Sequence, residues 1–311
     1  GGANCHVVLG EAPAAAPVEE RGTGTGLPWV VSARSAAALR EQAERLAELP
    51  ETTAVGRSLA ATRSPLAHRA VLFPDASGSL AGALAAVAAD RRDDAVVEGV
   101  AHVAATPVLV FPDNWEGAAD ELLDSSSIFA DAFAACGEAV GDTSLESALR
   151  SGVETETVRW ATLVALAALW RAAGVVPAAV VGEGIGELAA ATVAGEITLA
   201  EAAQRLDTHQ ATGRLDERVR GLFAQGHNVF LVLGPGRALA PDLPVDVVDT
   251  PLQPADVLRS AAELFVRGVQ VDLASWYPAG PVVDLPTYPF QRTRHWFAAA
   301  ETAPAVSVGP G

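Results

Sequence analysis

Between a short apolar run, Ala178–Val181, and a helix-forming stretch, Glu187–Ala194, lies the sequence Gly182-Glu183-Gly184-Ile185-Gly186. A Gly-x-x-x-Gly turn from strand to helix has the geometry of a nucleophile elbow: its glycines let the chain reverse sharply and lift the middle residue to the top of a sheet. Acyl transfer at such a turn needs Ser or Cys in the middle and an imidazole to take its proton. Here the middle residue is Gly184, which has no side chain to acylate. Glu183 and Glu187 lie on either side. Two carboxylates can share acid–base work when burial drives their pKa values apart. At a helix N-terminus, solvated carboxylates are also simply favoured by the dipole. The expectation is that both are solvated, and two such charges disfavour an external anion.

The six histidines are His6, His68, His102, His209, His227 and His295, and none has metal-ligand spacing, so no metal site is expected. His209 is the one expected nearest the turn. No Gly-x-Ser-x-Gly occurs anywhere in the chain, so a relocated serine has no motif behind it. Lys is absent and all 21 basic residues are Arg, which removes a Schiff-base amine and a P-loop lysine. Cys5 and Cys136 are far apart and offer neither a disulfide framework nor a zinc pattern, as suits a reducing cytoplasm. Nothing in the chain implies a cofactor.

Elements that could position the turn are legible from apolar patterning. The chain has 311 residues, 50% hydrophobic and 19% charged, enough for one large domain or two modest ones. Its net charge of −17 repels phosphate backbones, which speaks against nucleic acid. No apolar stretch reaches the roughly 18 residues of a membrane span, and residues 1–27 lack the basic and apolar regions of a signal peptide. Met is absent and Ile occurs only at 128, 185 and 197. That bias reads as a GC-rich coding sequence, and the chain reads as a piece of a longer polypeptide.

Residues 11–27 are rich in Ala, Pro, Gly and Glu and read as a flexible linker. Pro28–Val31 reads as a buried strand, with Ser32 capping a helix over Ala36–Leu49. His68–Phe73 and Leu80–Ala89 add a strand and a helix, so this first segment is expected to be a small α/β unit. Farther on, Pro107–Phe111 reads as a strand and Glu121–Val140 as one amphipathic helix. Val158–Ala173 is apolar nearly all round, which places it in a core, with Gly174 as its stop. Val229–Leu233 and Val245–Val248 read as strands and Ala255–Arg267 as an amphipathic helix. The alternation predicts a doubly wound, mostly parallel α/β sheet. The tail from Trp276 to Phe297 is rich in Pro and aromatics, which are typical anchors at protein contacts; it reads as a strap that also reaches a neighbouring domain.

Several segments together resemble a modular type I polyketide synthase, over nearly the whole chain. Gly1-Gly2-Ala3-Asn4-Cys5-His6-Val7-Val8-Leu9 resembles the Gly-Thr-Asn-Ala-His-Val-Ile-Leu that ends a ketosynthase domain. Leu27-Pro28-Trp29-Val30-Val31-Ser32-Ala33 resembles the start of the linker domain between ketosynthase and acyltransferase. Asp284-Leu285-Pro286-Thr287-Tyr288-Pro289-Phe290-Gln291-Arg292 is similar to the linker that follows an acyltransferase and runs back across the linker domain. The family's Gly-His-Ser-Gln-Gly-Glu corresponds to Gly182-Glu183-Gly184-Ile185-Gly186-Glu187. Its Val-Phe-Pro-Gly-Gln-Gly-Ser-Gln-Trp corresponds to Val110-Phe111-Pro112-Asp113-Asn114-Trp115.

The resemblance implies an acyltransferase large subdomain, hydrolase-like in fold, whose functional positions have degenerated. The serine position is Gly184, the preceding His is Glu183, and the glutamine of the oxyanion loop is lost among Asp113, Asn114 and Trp115. The arginine that would clamp an extender carboxylate falls at His209. Gly226-His227-Asn228-Val229-Phe230 matches a strand motif that, in active relatives, follows a ferredoxin-like subdomain carrying the catalytic His. Here only residues 210–225 separate it from His209, so that subdomain is expected to be missing. The implied organisation is a ketosynthase end and flexible segment over 1–27, a linker domain over 28–105 and a degenerate acyltransferase over 106–275. A strap over 276–297, docking through Tyr288, Pro289, Phe290, Arg292 and Trp296, and a disordered tail over 298–311 complete it.

Function then reads as a cytoplasmic scaffold or docking module without catalysis. Its partners would be the ketosynthase and acyl carrier protein of the same synthase, and a discrete acyltransferase that supplies acyl groups. No acidic carrier would be drawn to this chain by long-range attraction, and any phosphopantetheine arm would belong to the carrier. The alternatives are a recruitment surface for the discrete enzyme or carrier, and residual acyl transfer or hydrolysis by Glu183, Glu187 or His209.

Overall fold

A computed structural model describes residues 26–101, 103–113, 117, 119–209, 214–235 and 239–291. The first unit is a three-stranded antiparallel meander, β1 (Trp29–Ala33), β2 (His68–Leu72) and β3 (Val96–Val100), in that order. Trp29 pairs with Leu72, and Arg69 with Gly99. Helices α1 (Ala36–Leu46), α2 (Thr53–Thr62) and α3 (Ala81–Ala88) are its helical complement. Leu39, Ala43 and Leu46 of α1 recur at helical spacing and bury against Trp29, Val31 and Leu72. The cap of α1 is Ser35, whose hydroxyl accepts from the Ala38 amide, and not Ser32. Ser32 lies inside β1, and its hydroxyl instead accepts from the Leu66 amide at 3.0 Å.

The second unit is a four-stranded parallel sheet in the order β5-β4-β6-β7. Its strands are β4 (Val108–Phe111), β5 (Ala179–Gly182), β6 (Val229–Val232) and β7 (Asp246–Asp249). Most of these strands are near-continuous apolar runs, as strands covered on both faces must be. Leu109 and Phe111 face one layer of helices, while Val108 and Val110 face the other. The first layer carries α4 (Asp120–Ser125), α5 (Ser127–Val140), α6 (Leu145–Arg150), α7 (Glu156–Ala172), α8 (Ile185–Ala194) and α9 (Leu199–Arg205). The second is covered by α10 (Leu215–Ala224), through Leu215 and Val219. The sheet is thus doubly wound, as expected.

The single helix expected over Glu121–Val140 is two, α4 and α5. They break at Ser126, whose extended backbone and hydroxyl cap α5 by accepting from the Phe129 amide. Helix α7 buries Trp160 and Trp170, and the Trp170 indole donates to Thr250 Oγ1 at 2.9 Å. Among the described residues no strand lies between β5 and β6, only α8, α9, a 3₁₀ turn at Leu206–Thr208 and α10.

Helix α11 (Pro254–Val266) ties the two units together. Ala261 and Leu264 belong to the core of the parallel sheet, whereas Ala262, Phe265 and Val266 pack on Val30, Val71 and Val97 of the small sheet. Gly99 eases this contact, because a Cβ there would lie 3.0 Å from the Val266 side chain and carbonyl oxygen, tighter than most side-chain contacts. Arg69 donates from Nη1 to the Phe265 carbonyl at 2.6 Å and stacks over the Phe265 ring at 4.6 Å. Burial lowers the pKa of Arg69 from the usual arginine value.

The chain then returns to the first unit. The Tyr277 hydroxyl donates to the Pro28 carbonyl, and burial raises its pKa. Val283 N donates to Ser58, Arg63 to the Pro286 carbonyl, Arg45 to the Thr287 carbonyl, and Arg34 N to the Tyr288 hydroxyl. Pro289 is buried, whereas Phe290 is 76% exposed and meets Tyr288 edge-on with ring centroids 5.0 Å apart. Arg292, Trp296, the tail over 298–311 and residues 1–25 lie outside the described residues, as do Asn114 and Trp115. No helix among the described residues is long and apolar enough to cross a membrane.

Candidate functional site

In a sheet ordered β5-β4-β6-β7, the chain leaves β4 toward β5 and leaves β6 toward β7, so the order reverses beside β4, and such folds place their sites at the carboxyl ends of the strands there. The loop after β4 supplies Asp113, and the turn after β5 supplies Gly182–Gly186. Register brings them together: Phe111 pairs with Gly182, and the Glu183 amide donates to the Phe111 carbonyl at 3.0 Å.

The turn is built as a sharp elbow. Gly184 has φ +55° and ψ −130°, a conformation that strains an L side chain. The Gly186 amide donates to the Glu183 carbonyl at 2.8 Å, and the Glu187 amide to the Gly184 carbonyl at 3.0 Å, so α8 starts at once. Gly186 is needed for close approach, since a Cβ there would overlap the Phe111 carbonyl oxygen.

Around the apex four charged or titratable side chains converge. Asp113 Oδ1 accepts from the Ile185 amide at 2.9 Å, the first amide of α8, where the helix offers an unpaired donor and a positive dipole end. His209 Nε2 lies 3.0 Å from the Gly184 carbonyl, and so acts as donor in that contact, and 3.7 Å from Glu187 Oε2. Arg218 of α10 donates to Glu187 Oε1 at 3.0 Å and to the Gly182 carbonyl at 3.1 Å. The Glu187 side chain is only 8% exposed. Its expected solvation is therefore corrected: it points inward to an arginine from the far layer and does not face water. Glu183 is half-buried. Among the described residues no group of His, Cys, Asp or Glu is arranged to hold a metal ion.

Residues 113–214 match the acyl transferase domain family. Over 226 residues the chain is 42% identical to the spectinabilin polyketide synthase system protein NorA' of Streptomyces orinoci, covering 65% of this chain and 6% of that protein. It is 39% identical over 259 residues to erythronolide synthase EryA2 of Saccharopolyspora erythraea, covering 75% of this chain and 7% of that one. Among solved structures it is similar to the acyltransferase domain from module 8 of the salinomycin polyketide synthase. That match has 25% identity and a TM-score of 0.68, over 79% of this chain and 97% of the other. By these matches the chain is similar to acyltransferase domains of modular polyketide synthases. It spans only 6% and 7% of the two synthase proteins.

Within the matched residues 113–214, the elbow, Asp113 and His209 are brought together, whereas Tyr288, Pro289 and Phe290 lie with the small unit. Sequence reasoning missed Arg218. It sits in Leu215-Asp216-Glu217-Arg218, a charge-rich stretch that looks like a solvated helix face, and only the doubly wound topology sets it under the elbow. What the arrangement can do chemically follows from its groups. The apex has no atom to attack a thioester. The nearest imidazole faces a main-chain carbonyl, and the elbow's first amide is already taken by a carboxylate.

Proposed function

We propose that this chain is a catalytically silent acyltransferase-fold region. In this reading it holds the neighbouring ketosynthase and carrier protein of a synthase in place while a separate acyltransferase loads the carrier. The observation that carries this reading is Gly184 at the apex of a fully formed elbow: the turn that presents a nucleophile is kept and the nucleophile is gone. Nucleophilic acyl transfer without the attacking atom loses several orders of magnitude. His209, Asp113 and the lack of a strand among the described residues between β5 and β6 support the same reading, in which base, oxyanion-loop donor and carboxylate clamp are replaced as well.

Retention of the architecture supports a mechanical role. α11 joins both sheets through buried apolar contacts, and residues 283–288 form four hydrogen bonds to the first unit. In this reading Phe290, exposed among the described residues of the strap, meets a neighbouring domain. In a test, the module's carrier protein is loaded from acyl-CoA by a discrete acyltransferase, with and without this chain. Loading that this chain accelerates only with the discrete enzyme supports docking, and an unchanged rate supports a spacer. Loading by this chain alone overturns the reading.

A further inference from the structure

We infer that Asp113 is an internal ligand of the elbow, occupying both the place of a nucleophile side chain and the hydrogen-bond donor that would face a reacting carbonyl oxygen. The inference rests on the reading of the elbow as silent and goes beyond it, because it says the site is filled as well as emptied.

Two independent facts about geometry carry it. A Cβ built on Gly184 would overlap Asp113 Oδ1, so the carboxylate lies where any side chain at the apex must begin. The same oxygen accepts from Ile185 N, the amide directly after the apex, at 2.9 Å. In nucleophile elbows that amide is half of the oxyanion hole, and such donors work only when they are aimed at the developing oxyanion. A fixed carboxylate there uses up the donor and opposes a second negative charge at close range. The α8 N-terminus favours the anion at this place. Gly184 and Asp113 are therefore one coupled change, and returning a nucleophile to position 184 by itself does not reopen the site.

The test places a thiol at the apex, because a thiol reacts without a dedicated base. Gly184→Cys is made with Asp113 present and with Asp113→Gly, both in a Cys5→Ser background. Cys136, the other thiol, is buried with its pKa pushed up to about 12. Alkylation by iodoacetamide at neutral pH is followed by intact mass. The backbone strain at position 184 is the same in both variants, so their difference reports Asp113. The expected result is alkylation about tenfold or more faster in the double variant, where a helix N-terminus lowers the thiol pKa and no carboxylate opposes it. The single variant is also expected to melt about 5 °C below the double variant, from the overlap at the apex. Equal alkylation rates and equal melting temperatures would overturn the inference.

The unmutated chain gives a check that needs no variant to fold. The first amide of a helix has no intrahelical partner and ordinarily exchanges freely. Ile185 is expected to exchange at least about tenfold slower than an open amide, and free exchange there contradicts the inference. Acylation of the unmutated chain would instead sink the scaffold reading, so the two failures are distinct.

Discussion

Truncation of Phe265 tests whether α11 makes one body of two sheets. The ring is 5% exposed and packs among Val30, Val71 and Val97 of the small sheet and Leu273 beyond the helix. Replacing a buried Phe by Ala costs about 3–5 kcal/mol, because transfer energy is lost and a cavity is left. Loss of the guanidinium of Arg69 over the ring adds about 0.5–1 kcal/mol. The hydrogen bond from Arg69 to the Phe265 carbonyl is to the backbone and survives. Phe265→Ala should therefore lose about 4 kcal/mol, or about 8–16 °C in melting temperature, if the chain unfolds as a unit. Calorimetry of the unmutated chain should show one transition, and the variant should show the small unit melting first. A loss under about 1 kcal/mol, or two separate transitions already present in the unmutated chain, refutes the argument that α11 couples the units.

The pair beneath the elbow should be asymmetric. Arg218→Leu takes the guanidinium from the 8%-exposed Glu187 carboxylate, leaving His209 at 3.7 Å, and should cost about 2–3 kcal/mol, discounted because Arg218 is 36% exposed. Glu187→Gln leaves a guanidinium that still bonds the Gly182 carbonyl and should cost clearly less in urea denaturation. Thr250→Val removes the acceptor of the buried Trp170 indole and should cost about 1–3 kcal/mol by the same measurement. Acid should weaken the fold in one direction. The pKa of Asp124 is lowered by its hydrogen bond to Arg150, that of Asp142 by its bond to Ser144, and that of Asp242 by its bond to Arg220. These groups are lower in the folded chain than the ordinary 3.8. Their contribution is thus present above that value and lost as pH falls through the folded pKa. Urea midpoints should be flat near neutrality and fall below about pH 4.

The parallel sheet was legible because Val108–Phe111 and Val229–Val232 are short apolar runs beside turn signals, which leaves few other uses for them. Strand β3 was not, because Glu98 and Gly99 interrupt its apolar character; Gly99 is set by the approach of Val266, a contact distant in sequence. Helix α10 escaped for a related reason. Its apolar side is Leu215, Val219 and the partly buried Leu222 among charged residues, enough to cover a sheet face but too short to stand out as a pattern. At the site, the elbow itself could be read from its glycines, whose spacing is a local backbone requirement. The bond from Asp113 to Ile185 and the ion pair of Glu187 with Arg218 span 72 and 31 positions. They exist because the tertiary fold brings the carboxyl ends of β4 and β5 and helix α10 together, so no local signal could announce them. Ser35 took the cap expected of Ser32 because β1 runs through Ser32, and tertiary pairing outweighed a local preference.

The most direct measurement is the intact mass of the unmutated chain after incubation with malonyl-CoA and methylmalonyl-CoA, with an active acyltransferase domain run alongside. The silent-elbow account expects an acyl adduct on the active domain and none on this chain. A stoichiometric acyl adduct on this chain would contradict it.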